Sequence, residues 1–164
     1  MSNERAIETA WRIHGHLNDL NGKIDSKASF ALALESAALG GVAALSGSGH
    51  RLGHLVGWPP KVIFWAGVIA LGLAALSAIM VVIPRGGDGN RGATPRGYVY
   101  YGDLRHWTAE ELAVRLNTGD SLPALTRQLV ALSQIAWIKH RRVRHSLTLA
   151  GVGGVLVALA GLLG

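Results

Sequence analysis

Three apolar stretches dominate this sequence: 28–46, 62–83 and 146–164. Each is long enough to cross a bilayer, because about 20 helical residues rising ~1.5 Å each match a hydrocarbon core about 30 Å thick. The middle stretch carries no charged residue over its 22 positions, and the first contains a single acid, Glu35. The sequence therefore predicts an all-α membrane protein with three transmembrane helices.

The polar segments between these spans also suggest helices. We expect a cytoplasmic amphipathic helix over 1–27, a short external loop over 47–61, and a basic cytoplasmic loop and helical hairpin over 84–145. The first helix is indicated by apolar residues at helical spacing, namely Ile7, Trp11, Leu17, Leu20 and Ile24. The pattern leaves open whether this helix ends before the first span or continues into it.

The basic residues predict the orientation of the chain in the membrane. Segments 1–27 and 84–145 hold 14 of the 16 Lys and Arg residues, whereas 47–61 holds two. Lys and Arg are enriched on the cytoplasmic side of membrane proteins. We therefore expect the N-terminus to be cytoplasmic, with the 47–61 loop and the C-terminus outside.

The segment between the second and third spans begins with a Gly-rich stretch that includes the pattern GxGxxG at 87–92. A dinucleotide fingerprint needs a strand before it and a helix after it, and this context is absent, so we discount it. An extended conformation is expected from Tyr98 to Gly102. Thr108 and Glu111 form a predicted capping box that opens a short helix. A longer helix is expected over 122–145 and is compatible with running directly into the third span.

No pattern of catalytic or metal-ligating residues stands out. The chain has no Cys, and its seven His include His14 and His16, which point to different faces of a helix. His50 and His54 share a short loop without a nearby acid, whereas zinc sites need three or four convergent ligands. Neither a nucleophile elbow nor a pair of acids is recognisable. The sequence therefore predicts a protein that is not an enzyme and binds no metal or cofactor.

Glu35 is the most informative single residue, since an acid within a span is costly and usually faces the bundle interior or water. Two interpretations stay open. Glu35 is either hydrated or hydrogen-bonded to a neighbouring helix near the cytoplasmic end, or it lines a pore or helix interface with a functional role.

Small residues recur every four positions in all three spans. The ladders are Ser36, Gly40 and Ala44; Ala66, Ala70, Ala74 and Ala78; and Ala150, Gly154 and Ala158. Such ladders let helix backbones approach closely in lipid, so they predict a tight bundle or a homo-oligomer.

The basic segment 84–145 admits two interpretations. Its arginines either face lipid headgroups or hold a small anionic ligand, because Arg matches phosphate oxygens in a bidentate manner. For a ligand, Arg105 and Arg127 are the candidate phosphate contacts. Nearby aromatic side chains offer faces on which a base can stack, namely Tyr98, Tyr100, Tyr101 and Trp107. A polymer of nucleic acid is not expected in so short a tethered loop.

Three short motifs resemble the transmembrane effector family of Pycsar antiphage systems. They are Asp25-Ser-Lys27-Ala28, Tyr100-Tyr-Gly-Asp103, and Arg127-Gln128-Leu129 with Leu132-Ser133, Ile135 and Lys139. The order of spans and the large loop before the third span also match, although Tyr101 stands where that family often has Phe.

This resemblance implies a function. Such effectors accompany a pyrimidine cyclase that makes cyclic CMP or cyclic UMP on phage infection, and the nucleotide makes the effector impair the inner membrane and stop growth. The resemblance adds Gln128 to the candidate ligand-binding residues. It places Asp25 and Lys27 beside Glu35 as candidate gating residues, and as an alternative ligand site. Two other functions stay open: a membrane toxin of a related defence system with a different trigger, and a non-toxic membrane scaffold or interaction protein.

Overall fold

A computed structural model describes residues 3–47, 51–83, 97–118 and 121–164. Within these residues the secondary structure is helical, with no strand. The elements are α1 (Asn3–Leu45), a 3₁₀ turn (Arg51–Gly53), α2 (Trp58–Val82), α3 (Tyr101–Leu104), α4 (Ala109–Thr118) and α5 (Leu122–Leu163). Helices α1, α2 and α5 are long and apolar enough to cross a membrane, which confirms the predicted fold class. The pattern at 87–92 and His50 lie outside the described residues.

Helices α1 and α5 are each continuous, over 43 and 42 residues respectively. The sequence left open whether the polar helices end before the first and third spans or continue into them. In the structure both helices continue into the spans. Neither helix has an internal proline; Pro123 lies in the first turn of α5. Gly15 and Gly22 are accommodated in α1, each at a cost of about 1 kcal/mol relative to Ala.

Helix α2 begins and ends at clear sequence signals. Gly57 precedes it with φ of 89°, a left-handed conformation that glycine adopts without steric cost. Two prolines follow in the first turn, where a missing N–H leaves no helical hydrogen bond unmade. At the other end, Ile83 turns to an extended conformation and donates its backbone N–H to the Ile79 carbonyl.

The chain divides into two compact units. The first, which we call the polar unit, comprises residues 1–22 and 84–137. The second, the bundle unit, comprises 23–83 and 138–164. The bundle unit contains the three predicted spans.

In the bundle unit, each helix buries one stripe and exposes the rest. The buried residues recur at steps of three, four or seven residues: Ile24, Ala28, Ala31 and Glu35 on α1; Phe64, Gly67, Leu71, Ala74, Ala78 and Val81 on α2; and Val143, Ser146, Gly153 and Ala160 on α5. Large apolar side chains such as Phe30, Trp65 and Val155 are 58–68% exposed. An apolar exterior of this kind suits a lipid environment rather than water.

The small-residue ladders divide between the inside and outside of the bundle unit. Ala74 and Ala78 are fully buried within the chain, whereas Ala66, Gly154 and Ala158 are exposed. The ladder in α2 thus serves packing within one molecule over half of its length. Self-association through the exposed ladders stays a prediction.

The polar unit confirms the predicted capping box. The Glu111 backbone N–H donates to Thr108 Oγ1 at 3.2 Å, and the Thr108 N–H donates to Glu111 Oε2 at 3.2 Å. The extended conformation predicted from Tyr98 to Gly102 is wrong. This segment bends and enters α3, because the backbone N–H groups of Asp103 and Leu104 both donate to the Tyr100 carbonyl.

Candidate functional site

An ion pair joins α1 to α5 within the bundle unit. The Lys139 Nζ donates to both carboxylate oxygens of Asp25, at 2.7 and 2.8 Å. The side chains are 25% and 41% exposed, respectively, so water and salt screen the pair, and we expect it to contribute only about 0.2–1 kcal/mol. The two residues lie 114 positions apart in sequence, so no local sequence pattern predicts the contact.

A second polar contact lies deeper between the same two helices. The Ser146 hydroxyl donates to Glu35 Oε1 at 2.6 Å. Glu35 is 2% exposed and Ser146 is fully buried. Among the residues that the structure describes, Glu35 Oε2 has no hydrogen-bond partner. The structure therefore places Glu35 at a helix interface, hydrogen-bonded to its neighbour.

These two contacts form one polar seam, which we define as Asp25 and Glu35 of α1 with Lys139 and Ser146 of α5. Contacts along the seam advance in the same direction on both helices, so α1 and α5 run parallel. From Asp25 to Glu35 is about 15 Å along the helix axis, at ~1.5 Å per residue. The seam therefore extends from the partly exposed end of the bundle unit into its buried interior.

The interface between α2 and α5 is of a different kind. A Cβ atom added to Gly67 would lie 2.8 Å from the Gly153 carbonyl oxygen, and one added to Gly153 would lie 2.8 Å from that of Gly67. Such a close backbone approach is possible only for glycine, and it maximises van der Waals contact in lipid. One polar contact accompanies it, from Arg142 Nη1 to the Met80 carbonyl at 3.3 Å. The two helices run antiparallel.

Lys27 is not part of the seam. Its side chain is exposed, and among the described residues it forms no ion pair or hydrogen bond.

The candidate ligand-binding residues lie in the polar unit. Arg105 is exposed and its Nε donates to His106 Nε2 at 3.0 Å. Arg127 is also exposed, and its side chain has no hydrogen bond or ion pair within the described part of the chain. Tyr100 and Gln128 are half-buried, and the Tyr101 side chain lies outside the described part. The structure thus provides two exposed guanidinium groups but no contact that joins them.

Sequence reasoning missed a role for Arg115. Its guanidinium carbon lies 6.0 Å from the centroid of the Tyr98 ring, the outer limit for a cation–π contact. Tyr98 is buried, at 8% exposed, and the nearby Trp107 indole N–H donates to the Gly97 carbonyl at 3.1 Å. The sequence signal that could have indicated this role is the position of Arg115, a basic residue in the last turn of α4. Tyr98 and Trp107 therefore take part in the packing of the polar unit.

Within residues 3–47, 51–83, 97–118 and 121–164, no group of three or more His, Asp or Glu side chains is placed to hold a metal ion. The side chains of the polar seam instead join α1 to α5.

The fold and its polar seam define an α-helical membrane protein that combines a three-helix bundle with a second, polar helical unit. Residues 9–164 match the family model described as the Pycsar effector protein domain. The chain belongs to this family of antiphage defence effectors, which confirms the resemblance seen in the three motifs. No curated protein and no solved structure matched the chain.

Proposed function

We propose that this effector responds to cyclic CMP or cyclic UMP, made by a pyrimidine cyclase during infection, by impairing the inner membrane and arresting growth or killing the cell. Family membership supports the defence role. The observation that carries the membrane step is Glu35, an acid buried inside an apolar bundle with one carboxyl oxygen unpaired among the described residues. Acidic groups at such positions are expensive and are usually functional.

The nucleotide would bind in the polar unit. Arg105 and Arg127 are the proposed phosphate contacts, and both are exposed. Tyr100 and Tyr101 are the proposed stacking faces, and Gln128 is a proposed hydrogen-bonding partner. A mononucleotide carries one phosphate charge, so one or two arginines with backbone N–H groups suffice. Asp25 and Lys27 are the alternative location.

The membrane step would be a shift between closed and permeable arrangements of spans that are already inserted. A ligand shifts such an equilibrium only by binding one arrangement better than the other. The polar seam suits this role because water can replace its hydrogen bonds when α1 and α5 separate. The packing of glycine backbones between α2 and α5 cannot be replaced by water in this way. Glu35 and Asp25 are therefore the proposed gating residues on the seam, with Lys27 beside it. The protein would act as a homo-oligomer with a cytoplasmic N-terminus.

The direct test is a binding titration of the purified protein in detergent with the four 3′,5′-cyclic mononucleotides. We expect binding of cyclic CMP or cyclic UMP and none of the purine forms. Losing a hydrogen bond to a charged group costs about 1.5–3 kcal/mol. Arg127→Ala or Arg105→Ala should therefore weaken affinity roughly tenfold to a hundredfold, and Arg5→Ala, an exposed arginine of α1, should not.

Binding of no cyclic nucleotide would contradict the proposal. Growth arrest on expression would then indicate a membrane toxin with a different trigger, and its absence a scaffold protein. Full affinity in both Arg105 and Arg127 variants would move the site toward Asp25 and Lys27.

A further inference from the structure

We propose that a basic face of α5 binds the phosphate headgroup of an anionic phospholipid. The face consists of His140, Arg141, Arg144 and His145, all exposed. The inference does not depend on the nucleotide proposal, because these residues belong to neither the polar seam nor the candidate ligand site.

Helical geometry places these four residues on one side of α5. At about 100° per residue they fall within an arc of roughly 140°. The opposite arc holds Lys139, Val143 and Ser146, which are committed to the bundle unit: Lys139 and Ser146 bind α1, and Val143 is 7% exposed. The basic face therefore points away from the bundle.

The depth of this face is set by the contact between α5 and α2. Arg142 donates to the Met80 carbonyl, so this part of α5 lies level with the end of α2. The distance along α2 from Met80 to Pro60 is about 30 Å at ~1.5 Å per residue, which equals the hydrocarbon thickness of a bilayer. From Arg144 to Gly164 is the same distance, about 30 Å. The basic face thus lies at one boundary of the hydrocarbon core, where lipid phosphates are found.

The same face of α5 continues into apolar residues suited to acyl chains. One turn beyond the arginines, Leu147 is 53% exposed, and Val152, Val155 and Leu159 are 44–58% exposed. Val152, Val155 and Leu159 lie on the side of the helix that carries Arg141 and Arg144, and Leu147 lies at the edge of that side. A phospholipid seated here would place its phosphate at the arginines and its tails along these side chains. A free phosphate ion would gain nothing from the apolar part.

Charge selects an anionic lipid. Within residues 138–164 there is no Asp or Glu, and the nearby acid Asp25 is already paired with Lys139. Arg141 and Arg144 form no ion pair within the described residues. Basic residues near an anionic membrane surface are attracted to its lipids, so the face should prefer phosphatidylglycerol to phosphatidylcholine.

The test uses native mass spectrometry of the full chain released from nanodiscs that contain equal amounts of phosphatidylglycerol and phosphatidylcholine. We expect retained phosphatidylglycerol in the parent protein and a loss of on the order of tenfold in Arg141→Gln/Arg144→Gln. Arg141→Lys/Arg144→Lys should retain most of it. The matched control is Arg5→Gln/Arg12→Gln, which removes two exposed arginines from α1. Circular dichroism checks that each variant remains helical.

Four outcomes would overturn the proposal. The parent protein retains both lipids equally, the Arg141/Arg144 glutamine variant retains phosphatidylglycerol like the parent, or the Arg5/Arg12 variant loses it to the same extent. Displacement of the lipid by millimolar inorganic phosphate would also contradict it, because the bound species would then be recognised by its phosphate alone.

Discussion

Ser146 donates a 2.6 Å hydrogen bond to Glu35 across the interface of two parallel helices, and both side chains are buried. The two residues are 111 positions apart in sequence. This contact satisfies one oxygen of an acid that would otherwise face an apolar interior. It makes the α1–α5 interface polar, whereas the α2–α5 interface is built on glycine at Gly153, about 10 Å further along α5.

Removing the Ser146 hydroxyl should destabilise the bundle unit. Ser146→Ala leaves the Glu35 carboxyl group buried without its partner, which costs about 1–3 kcal/mol. Reversible unfolding in mixed micelles, followed by circular dichroism, measures this loss. The control is Ser36→Ala on the exposed side of α1, which should change the unfolding free energy by less than about 0.5 kcal/mol. Equal effects of the two substitutions would show that the hydrogen bond contributes nothing.

Exchanging the charges of Asp25 and Lys139 tests the outer part of the seam. Asp25→Lys or Lys139→Asp alone places like charges where the structure has an ion pair at 2.7 Å, and we expect either variant to leak ions from proteoliposomes without nucleotide. The double variant Asp25→Lys/Lys139→Asp restores opposite charges, so its proteoliposomes should no longer leak ions without nucleotide. A double variant that leaks like the single ones would remove the ion pair from the gating account.

The glycine contact provides a prediction with a neighbouring control. Gly153→Val forces a side chain against the α2 backbone, since a Cβ there already lies 2.8 Å from the Gly67 carbonyl oxygen. Overpacking of this kind costs about 1–3 kcal/mol or more. Gly151→Val, only about 3 Å away along the helix axis, meets no atom within 4 Å, lies outside the small-residue ladder of α5, and should be tolerated. Thermal stability in detergent, measured by fluorescence-detected size exclusion, distinguishes them, and similar melting temperatures would contradict the observed packing.

The spans were predictable from sequence because a run of about 20 apolar residues has few alternatives to a transmembrane helix. The capping box at Thr108 was predictable because both of its hydrogen bonds lie within four residues. The pairing of Asp25 with Lys139 was not, because it depends on which helices meet. The ladder in α2 illustrates the same limit. A strict four-residue repeat drifts around a helix of 3.6 residues per turn, so Ala66 is exposed while Ala74 and Ala78 are buried.

Orientation follows from the distribution of basic residues and can be tested by cysteine labelling, since the chain has no Cys of its own. Val56 and Val114 are 79% and 63% exposed, so Cys at either position should be reactive. A membrane-impermeant maleimide should label Val56→Cys in intact cells, and Val114→Cys only after permeabilisation. The reverse pattern would contradict a cytoplasmic N-terminus.

The central claim is that a cyclic pyrimidine nucleotide opens the bundle, and the most direct measurement is the membrane potential of proteoliposomes that contain only the purified effector. With a potassium gradient and a voltage-sensitive dye, we predict depolarisation on addition of cyclic CMP or cyclic UMP and none with cyclic AMP or cyclic GMP. Glu35→Gln should bind the nucleotide normally but change the depolarisation. A membrane that stays polarised with every nucleotide, or that depolarises equally without one, would contradict the account.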